Sequence, residues 1–197
     1  MENVAPSPAH PRAFRLFAQF HVISVTAQLP VFDARYLWRQ LMKGDPKVIE
    51  QLNHALHGEM TAILQYMTQS EMCSNWGYPR LAGLTKARAI EEMRHAEGLI
   101  ERIMFLDALP QVTVSLKPEI GANVTEQFKF GLKDEQGAIH EYNQAAKICA
   151  EVKDQGTKAL FERMIVDEEH HADFLDAQLH AIEEMGIANY LAQQVKA

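Results

Sequence analysis

Two short stretches of the chain carry the same pair of side chains that can bind a metal ion. The first holds Glu92 and His95 in IEEMRHAE, and the second holds Glu168 and His171 in MIVDEEHHADF. A spacing of three residues puts the glutamate and the histidine on one face of a helix. Carboxylates with imidazoles suit iron or manganese, with zinc as an inhibitory competitor. One such pair is common by chance, so the repeat is the informative feature.

Four apolar stripes, followed at steps of three and four residues, each contain one glutamate near the middle. Two of these are Glu59 and Glu135, and the other two belong to the Glu-x-x-His pairs. The stripes predict that Glu169 and His170 point away from the core. The stripes are Leu52, Leu56, Glu59, Ile63 and Tyr66; Leu84, Arg88, Glu92, His95, Leu99, Ile103 and Leu106; Phe128, Leu132, Glu135, Ile139, Tyr142, Ala146 and Cys149; and Leu160, Met164, Glu168, His171, Leu175, Leu179 and Ile182.

A single glutamate on an apolar stripe usually lies at the rim of the core, where its long side chain reaches water. Four at matching heights are different, because buried carboxylates are costly unless their charge is compensated. Arg88 is the one obvious cation on these stripes. Two divalent metal ions would balance the four charges. The predicted metal ligands are Glu59, Glu92, His95, Glu135, Glu168 and His171.

Long helices are needed to position these groups. Helix signals predict helices over about 46–74, 80–107, 124–152 and 155–184, with a short fifth helix after Gly186. The link after the second helix has roughly 17 residues and a reach of up to ~55 Å, and a helix of this size is ~42 Å long. The link can therefore cross the whole bundle. The fold is predicted to be all-α, a four-helix bundle with one long crossover and a short C-terminal helix.

Composition restricts the function classes. The chain has 197 residues, a net charge of −7 and 47% hydrophobic residues, as in ordinary globular proteins. Nucleic acid is an unexpected partner, because binding its backbone needs clustered basic residues. No membrane contact is expected, since no apolar run approaches the length of a membrane span. Cys73 and Cys149 form no CxxC pair, and the reducing cytoplasm is the predicted location.

Residues 1–41 differ from the rest of the chain. They are rich in proline, arginine and aromatic residues, and they carry no helical stripe. A targeting segment is one interpretation, although the flanks do not suit a secretory signal. We expect instead a non-native or disordered extension, with translation starting at Met42 and a functional domain over 42–197. Mass spectrometry of the natural N-terminus tests this, and a mature chain beginning well before Met42 would contradict it.

From Met42 onward the sequence resembles the bacterioferritins, through MKGDPKVI, NWG, IEEMRHAE, ERIMFLDALP, DEEHHADFL and GIANYLAQQ in the family's order. The resemblance implies a ferritin-like fold and a 24-subunit shell that stores ferric mineral. It also implies a di-iron ferroxidase centre with two irons per subunit. Glu92 and Glu168 correspond to the bridging carboxylates. Glu59 and Glu135 correspond to the terminal ones, and His95 and His171 to the imidazole ligands.

The same resemblance implies a haem b shared between two subunits, with Met93 as its axial ligand. Met93 lies about 100° around the helix from Glu92, on another face. Methionine more often fills a helical interface than binds iron, so the surrounding motif carries this expectation. The implied reductant for iron release is a small ferredoxin.

Some positions depart from the family pattern. Ala87 stands where well-known members carry an inner-surface histidine, with Glu91 one turn later, and this leaves that auxiliary iron site in doubt. Tyr66 matches a tyrosine that can donate an electron, whereas Phe174 replaces a tryptophan. The alternatives are a haem-free ferritin and a DNA-protecting mini-ferritin. A rubrerythrin-type peroxidase is disfavoured without a four-cysteine domain, and a second subunit type in the shell stays open.

Overall fold

The computed structural model describes residues 43–114 and 117–196. The expected extension over 1–41 and the start at Met42 lie outside these residues. The described chain forms four long helices and one short one. They are α1 (Pro46–Asn75), α2 (Pro79–Phe105), α3 (Val124–Glu151), α4 (Gln155–Met185) and α5 (Ile187–Ala192).

The ends of the helices follow local chemistry. The Asp45 carboxylate accepts a hydrogen bond from the Lys47 amide at 2.8 Å, and Asp154 accepts one from the Thr157 amide at 2.9 Å. Both are N-caps that satisfy free amides of the first turn. Gly186 ends α4 with a φ of +76°, which favours glycine. The second helix stops at Phe105, two residues earlier than expected, because Asp107 turns the backbone to a φ of +58°.

Hydrogen bonds from the long link show the topology. The Gln111 amide donates to the Asn53 side chain at 2.8 Å, near the start of α1. The Glu119 amide donates to the Gln65 side chain at 2.9 Å, more than three turns further along the same helix. The link therefore runs the length of α1 before α3 begins. Since α1 is antiparallel to α2, helices α2 and α3 are parallel, and the predicted bundle with one long crossover is confirmed.

Two apolar clusters fill the bundle, one on each side of its polar middle. Leu84 was predicted to face inward, but this was wrong, because it is 43% exposed and Leu81, one turn earlier, is buried instead. Cys73 and Cys149 are buried in different clusters and form no disulfide. The first cluster includes Leu52, Leu56, Leu99, Ile103, Phe161 and Met164, and the second includes Leu81, Val124, Phe128, Leu175 and Tyr190.

The short helix α5 closes one end of the bundle. The Tyr190 ring packs edge-on against Phe128 with 6.1 Å between centroids, and its hydroxyl donates to Gln178 at 2.9 Å. Among residues 43–114 and 117–196, the structure contains no helix whose apolar stretch could span a lipid bilayer.

Candidate metal centre

All six predicted ligands lie together in the middle of the bundle. The four glutamates are almost completely buried, with exposures of 1–5%, and the two histidines lie just below the surface between α2 and α4. Their oxygen and nitrogen atoms form two compact groups, each suited in size to one metal ion. These groups are Glu59, Glu92, His95 and Glu168, and Glu92, Glu135, Glu168 and His171.

The first group surrounds the Nδ1 atom of His95. This nitrogen lies 3.1 Å from Glu168 Oε1, 3.2 Å from Glu92 Oε2 and 3.7 Å from Glu59 Oε2. The glutamates come from three different helices, so the group exists only in the folded bundle. A cation between these atoms would have three carboxylates and one imidazole around it.

The second group surrounds the Nδ1 atom of His171. This nitrogen lies 2.7 Å from Glu168 Oε2, 3.5 Å from Glu92 Oε1 and 4.0 Å from Glu135 Oε1. Glu92 and Glu168 thus offer one oxygen to each group, with the Oε1 and Oε2 atoms divided between them. This is the arrangement expected of two carboxylates that bridge a pair of metal ions.

The ligand atoms do not satisfy one another by hydrogen bonds. Glu92 Oε1, Glu168 Oε2, His95 Nδ1 and His171 Nδ1 are buried and have no hydrogen-bond partner. Even the 2.7 Å contact between His171 and Glu168 lacks hydrogen-bond geometry. Unpaired buried groups of this kind are rare and costly. Oxygen and nitrogen atoms that point at one another without hydrogen bonds are suited to bind two divalent cations. The residues present therefore fit the implied pair of irons.

Comparisons with known proteins identify the family. A family model described as a ferritin-like domain matches residues 49–185. A bacterioferritin of Mycolicibacterium paratuberculosis is 41% identical over 154 residues, covering 78% of this chain and 97% of the relative. The chain belongs to the bacterioferritin family. Bacterioferritins of Brucella melitensis (41% over 149 residues; 76% of this chain, 92% of the relative) and Streptomyces coelicolor (38% over 155 residues; 79% and 93%) are also similar.

Membership of the bacterioferritin family indicates a role in iron storage. The electrostatics of the buried centre also suit a cation. Burial raises the pKa of Glu92 to about 8 and also raises the pKa of Glu59 and of Glu135. Burial alone would lower the pKa of His95, but the carboxylates around its Nδ1 raise it above its usual range. Without a metal ion, the centre therefore holds protons that an arriving cation must displace.

Two buried tyrosines hold the outer carboxylates of the centre. The Tyr66 hydroxyl donates to Glu135 Oε1 at 2.5 Å, and the Tyr142 hydroxyl donates to Glu59 Oε1. Burial raises the pKa of both phenols well above the usual range, so both stay protonated donors at neutral pH. Sequence reasoning noted Tyr66 but treated Tyr142 as a core residue. The shared spacing, seven residues after a buried glutamate, could have identified it.

Two surface carboxylates approach the outer nitrogens of the histidines. His95 Nε2 is hydrogen-bonded to Asp167 Oδ2 at 3.3 Å, and His171 Nε2 lies 3.4 Å from Glu91 Oε2. Outer partners of this kind orient the imidazole for metal binding. Each directly precedes one of the two glutamates shared by both groups, a signal that sequence reasoning missed. Arg88, the expected cation, pairs with Glu91 at 3.2 Å.

Two cavities lead toward the centre from opposite faces. The cavity between α1 and α3 has a volume of about 610 Å³, and all four buried glutamates line it. Its charged lining includes Glu119 and Lys133, which are paired at 2.5 Å. The second cavity, of about 480 Å³ between α2 and α4, is lined by both histidines and by Asp167. Glu169 and His170 are exposed, as predicted.

Met93 lies on a different face from the metal ligands, as predicted, and is 44% exposed. An exposed ion pair between Glu71 on α1 and Lys86 on α2, with 3.9 Å between the charged atoms, indicates which positions of these antiparallel helices lie side by side near Met93. Steps of three and four residues from this pair bring further exposed apolar residues to the same surface. This apolar patch consists of Leu64 (42% exposed), Met67 (43%), Ile90 (40%) and Met93.

Proposed function

We propose that this chain is the subunit of a cytoplasmic 24-subunit shell that oxidises Fe²⁺ at its buried centre and stores the ferric product as mineral. The observation that supports this most directly is the division of oxygens between the two groups. Glu92 and Glu168 each direct one oxygen toward His95 and the other toward His171. Two cations held by shared carboxylates lie close enough for a two-electron step.

Each ligand has a distinct role in this proposal. Glu92 and Glu168 bridge two Fe²⁺ ions and hold them at a short distance. Glu59 and His95 complete the coordination of one ion, and Glu135 and His171 complete that of the other. Protons on the carboxyl groups leave as the ions bind, because only the ionised form is a ligand.

The reaction is a transfer of two electrons from the substrate iron. Each of the two Fe²⁺ ions gives up one electron. Dioxygen accepts both, together with two protons, and becomes hydrogen peroxide. Peroxide as the oxidant would instead accept the two electrons with two protons and give two molecules of water. The protein supplies the position of the ions, the removal of competing water, and the anionic ligands that favour Fe³⁺ over Fe²⁺.

Iron reaches the centre through the cavity between α1 and α3 in this proposal. Glu59 and Glu135 line that cavity beside the bridging residues. The negative balance of the chain favours the entry of cations over anions. The ferric product then supplies the mineral, either by moving past the histidines toward the second cavity or by electrons passing through the centre.

An anaerobic Fe²⁺ titration followed by oxygen tests the ferroxidase proposal. We expect two Fe²⁺ per subunit to bind before oxygen is added, and an absorbance change typical of ferric iron afterwards, in a particle of the size of 24 subunits. Zn²⁺ added first should block the change. One iron per subunit, or oxidation no faster than in buffer, would contradict the proposal.

The apolar patch around Met93 supports a second component, a haem b shared between two subunits. A thioether is a neutral, soft axial ligand, and methionine ligation raises the potential of haem iron. A patch of exposed apolar side chains on a helical surface marks an interface. Bound haem would supply electron transfer to the stored mineral, with a small ferredoxin as the reductant.

The substitution Met93→Leu tests the haem component. We expect a shell that assembles but lacks the visible absorbance of haem, because leucine fills the space without offering a ligand atom. Met67→Leu is the matched control from the same apolar patch and should retain haem. Haem absorbance retained in Met93→Leu would refute Met93 as the ligand. A parent protein without haem absorbance would favour the alternative of a haem-free ferritin. A second subunit type, if present, would appear in mass spectra of the natural shell.

A further inference from the structure

The two outer glutamates and the two buried tyrosines are related by a crossed pattern. Glu59 and Tyr66 lie seven residues apart on α1, and Glu135 and Tyr142 lie seven residues apart on α3. The tyrosine of each helix donates its hydroxyl to the glutamate of the other helix. The antiparallel packing of α1 and α3 produces this exchange, because it reverses the order of the two residues between facing helices.

Tyr142 is held firmly in place. Its side chain is only 3% exposed, and its ring lies 5.7 Å from the Phe161 ring within the first apolar cluster. Fixed packing limits the ring to one orientation, so the hydroxyl has a fixed position relative to Glu59. The packing partner comes from α4, which makes the position of this hydroxyl depend on three helices.

We propose that Tyr142 is a positioning residue for one half of the metal centre. Its hydroxyl holds Glu59 Oε1, which leaves Oε2 as the free oxygen. That free oxygen faces His95 Nδ1 at 3.7 Å, within the group that would hold a single cation. This role rests on the proposed function, and it makes Tyr142 the residue that orients the Glu59 carboxylate before the metal ion binds.

Tyr66 acts differently on the other half. The oxygen that it holds, Glu135 Oε1, is itself the atom that lies 4.0 Å from His171 Nδ1. The two tyrosines therefore each serve one group, and the loss of Tyr142 should affect only the group of His95. Tyr142→Phe keeps the ring and its packing against Phe161, so a loss confined to the group of His95 would come from the hydroxyl.

The test uses the full-length chain and Co²⁺ as a spectroscopic probe. In His171→Ala, the remaining Co²⁺ should bind at the group of Glu59 and His95. Adding Tyr142→Phe there should lower the Co²⁺ affinity about 10- to 100-fold, the range typical of lost outer partners. Adding Tyr142→Phe to His95→Ala should leave the affinity of the remaining group unchanged. The visible Co²⁺ bands should change only in the first case.

Further variants separate the hydroxyl from the ring. Tyr142→Phe removes only the hydroxyl, whereas Tyr142→Leu also removes the ring packed against Phe161, and Tyr142→Leu should weaken Co²⁺ binding at the same group at least as much. Tyr190→Phe removes a buried hydroxyl bonded to Gln178, far from the centre, and should change nothing. In the otherwise unchanged chain, Tyr142→Phe should weaken one of two Co²⁺ sites, which keeps the test valid if a double variant fails to fold.

Three results would overturn the inference. Binding of both Co²⁺ ions by Tyr142→Phe as tightly as by the parent would remove the role of Tyr142 and leave the proposed function intact. An equal loss at both groups would show that Tyr142 does not act on one half. A parent chain that binds no Co²⁺ would overturn the proposed function and this inference together.

Discussion

The two halves of the metal centre are built from the same residue types but differ in their contacts. His95 lies 3.1–3.7 Å from three carboxylates, and its outer nitrogen is hydrogen-bonded to Asp167. His171 lies 2.7 Å from Glu168 but 4.0 Å from Glu135, and its outer nitrogen meets Glu91 at 3.4 Å without a hydrogen bond. The three carboxylates around His95 thus lie at more equal distances from its Nδ1 atom than those around His171 do.

This difference shows that repeated motifs need not give equivalent sites. Both histidines follow a glutamate by three residues, but their surroundings come from other helices. Arg88 attracts Glu91 at 3.2 Å on one side, whereas the structure shows no ion pair from an arginine or lysine to Asp167 within the described residues. Whether a basic residue one turn away pairs with the outer carboxylate therefore decides how well that carboxylate orients its imidazole.

The largest expected effect on iron oxidation comes from substituting a residue that both halves of the centre share. Glu92→Ala removes one oxygen from each group, so both metal ions lose a ligand. We expect the rate of Fe²⁺ oxidation to fall by about 100-fold or more, above the range for outer partners. Stopped-flow absorbance after mixing with oxygen measures this rate. Glu169→Ala is the matched control, because Glu169 is exposed and directly follows Glu168, the other glutamate shared by both groups. Unaltered kinetics in Glu92→Ala would refute the ligand assignment.

Variants that lack the imidazole of one half should give the next largest effect, the loss of one of two Co²⁺ sites. His95→Ala and His171→Ala each remove the one imidazole of a group, and each should leave one tight Co²⁺ site instead of two. Because His95 has the closer set of carboxylates, the site that survives in His171→Ala should bind Co²⁺ more tightly than the one that survives in His95→Ala. Calorimetric titration gives both stoichiometry and affinity. Two tight sites in either variant would contradict the division into halves.

The stability of the metal-free protein should depend on pH through Glu92, which belongs to both halves of the centre. A carboxyl group whose pKa is raised by folding stabilises the folded state below its unfolded pKa, and this contribution is lost as the pH rises through the folded value. Burial raises the pKa of Glu92 to about 8. The metal-free protein should therefore lose stability between about pH 5 and pH 8, from the unfolded pKa upward. Thermal unfolding in EDTA should show this loss.

Bound metal should reverse the trend. Co²⁺ replaces the protons on the buried carboxyl groups, so its affinity should rise with pH until about pH 8, where Glu92 is half ionised. The melting temperature with Co²⁺ should then rise across the same interval. Metal-free protein that becomes more stable from pH 5 to pH 8 would contradict the protonated state inferred for the centre.

The smallest effect is expected from the outer carboxylates. Asp167→Asn should weaken Co²⁺ binding at the group of His95 by roughly tenfold, at the low end for outer partners. Glu91→Gln should have less effect, because Glu91 makes no hydrogen bond to His171. Stepwise Co²⁺ titration of each variant measures the two losses. A larger loss in Glu91→Gln would reverse the ranking of the halves.

Much of the fold could be predicted from local signals. Asp45, Asp154 and Gly186 mark helix ends through hydrogen bonds or backbone angles that depend on adjacent residues. The six candidate ligands could be located because a buried glutamate breaks an apolar stripe, and the stripe itself follows from the period of the helix. Leu84 shows the limit of this reasoning, since the stripe extends past the point where α2 faces the core.

What the sequence by itself determined is which six residues are candidate ligands and the approximate height of each along its helix, because helical spacing is a local property. Only the tertiary structure decided which oxygen of Glu92 and of Glu168 faces which histidine. It also decided that Tyr142 donates to Glu59 and not to Glu135 on its own helix. Tyr142 and Glu59 are 83 positions apart in the chain, and the packing of antiparallel helices, not local spacing, brings them together.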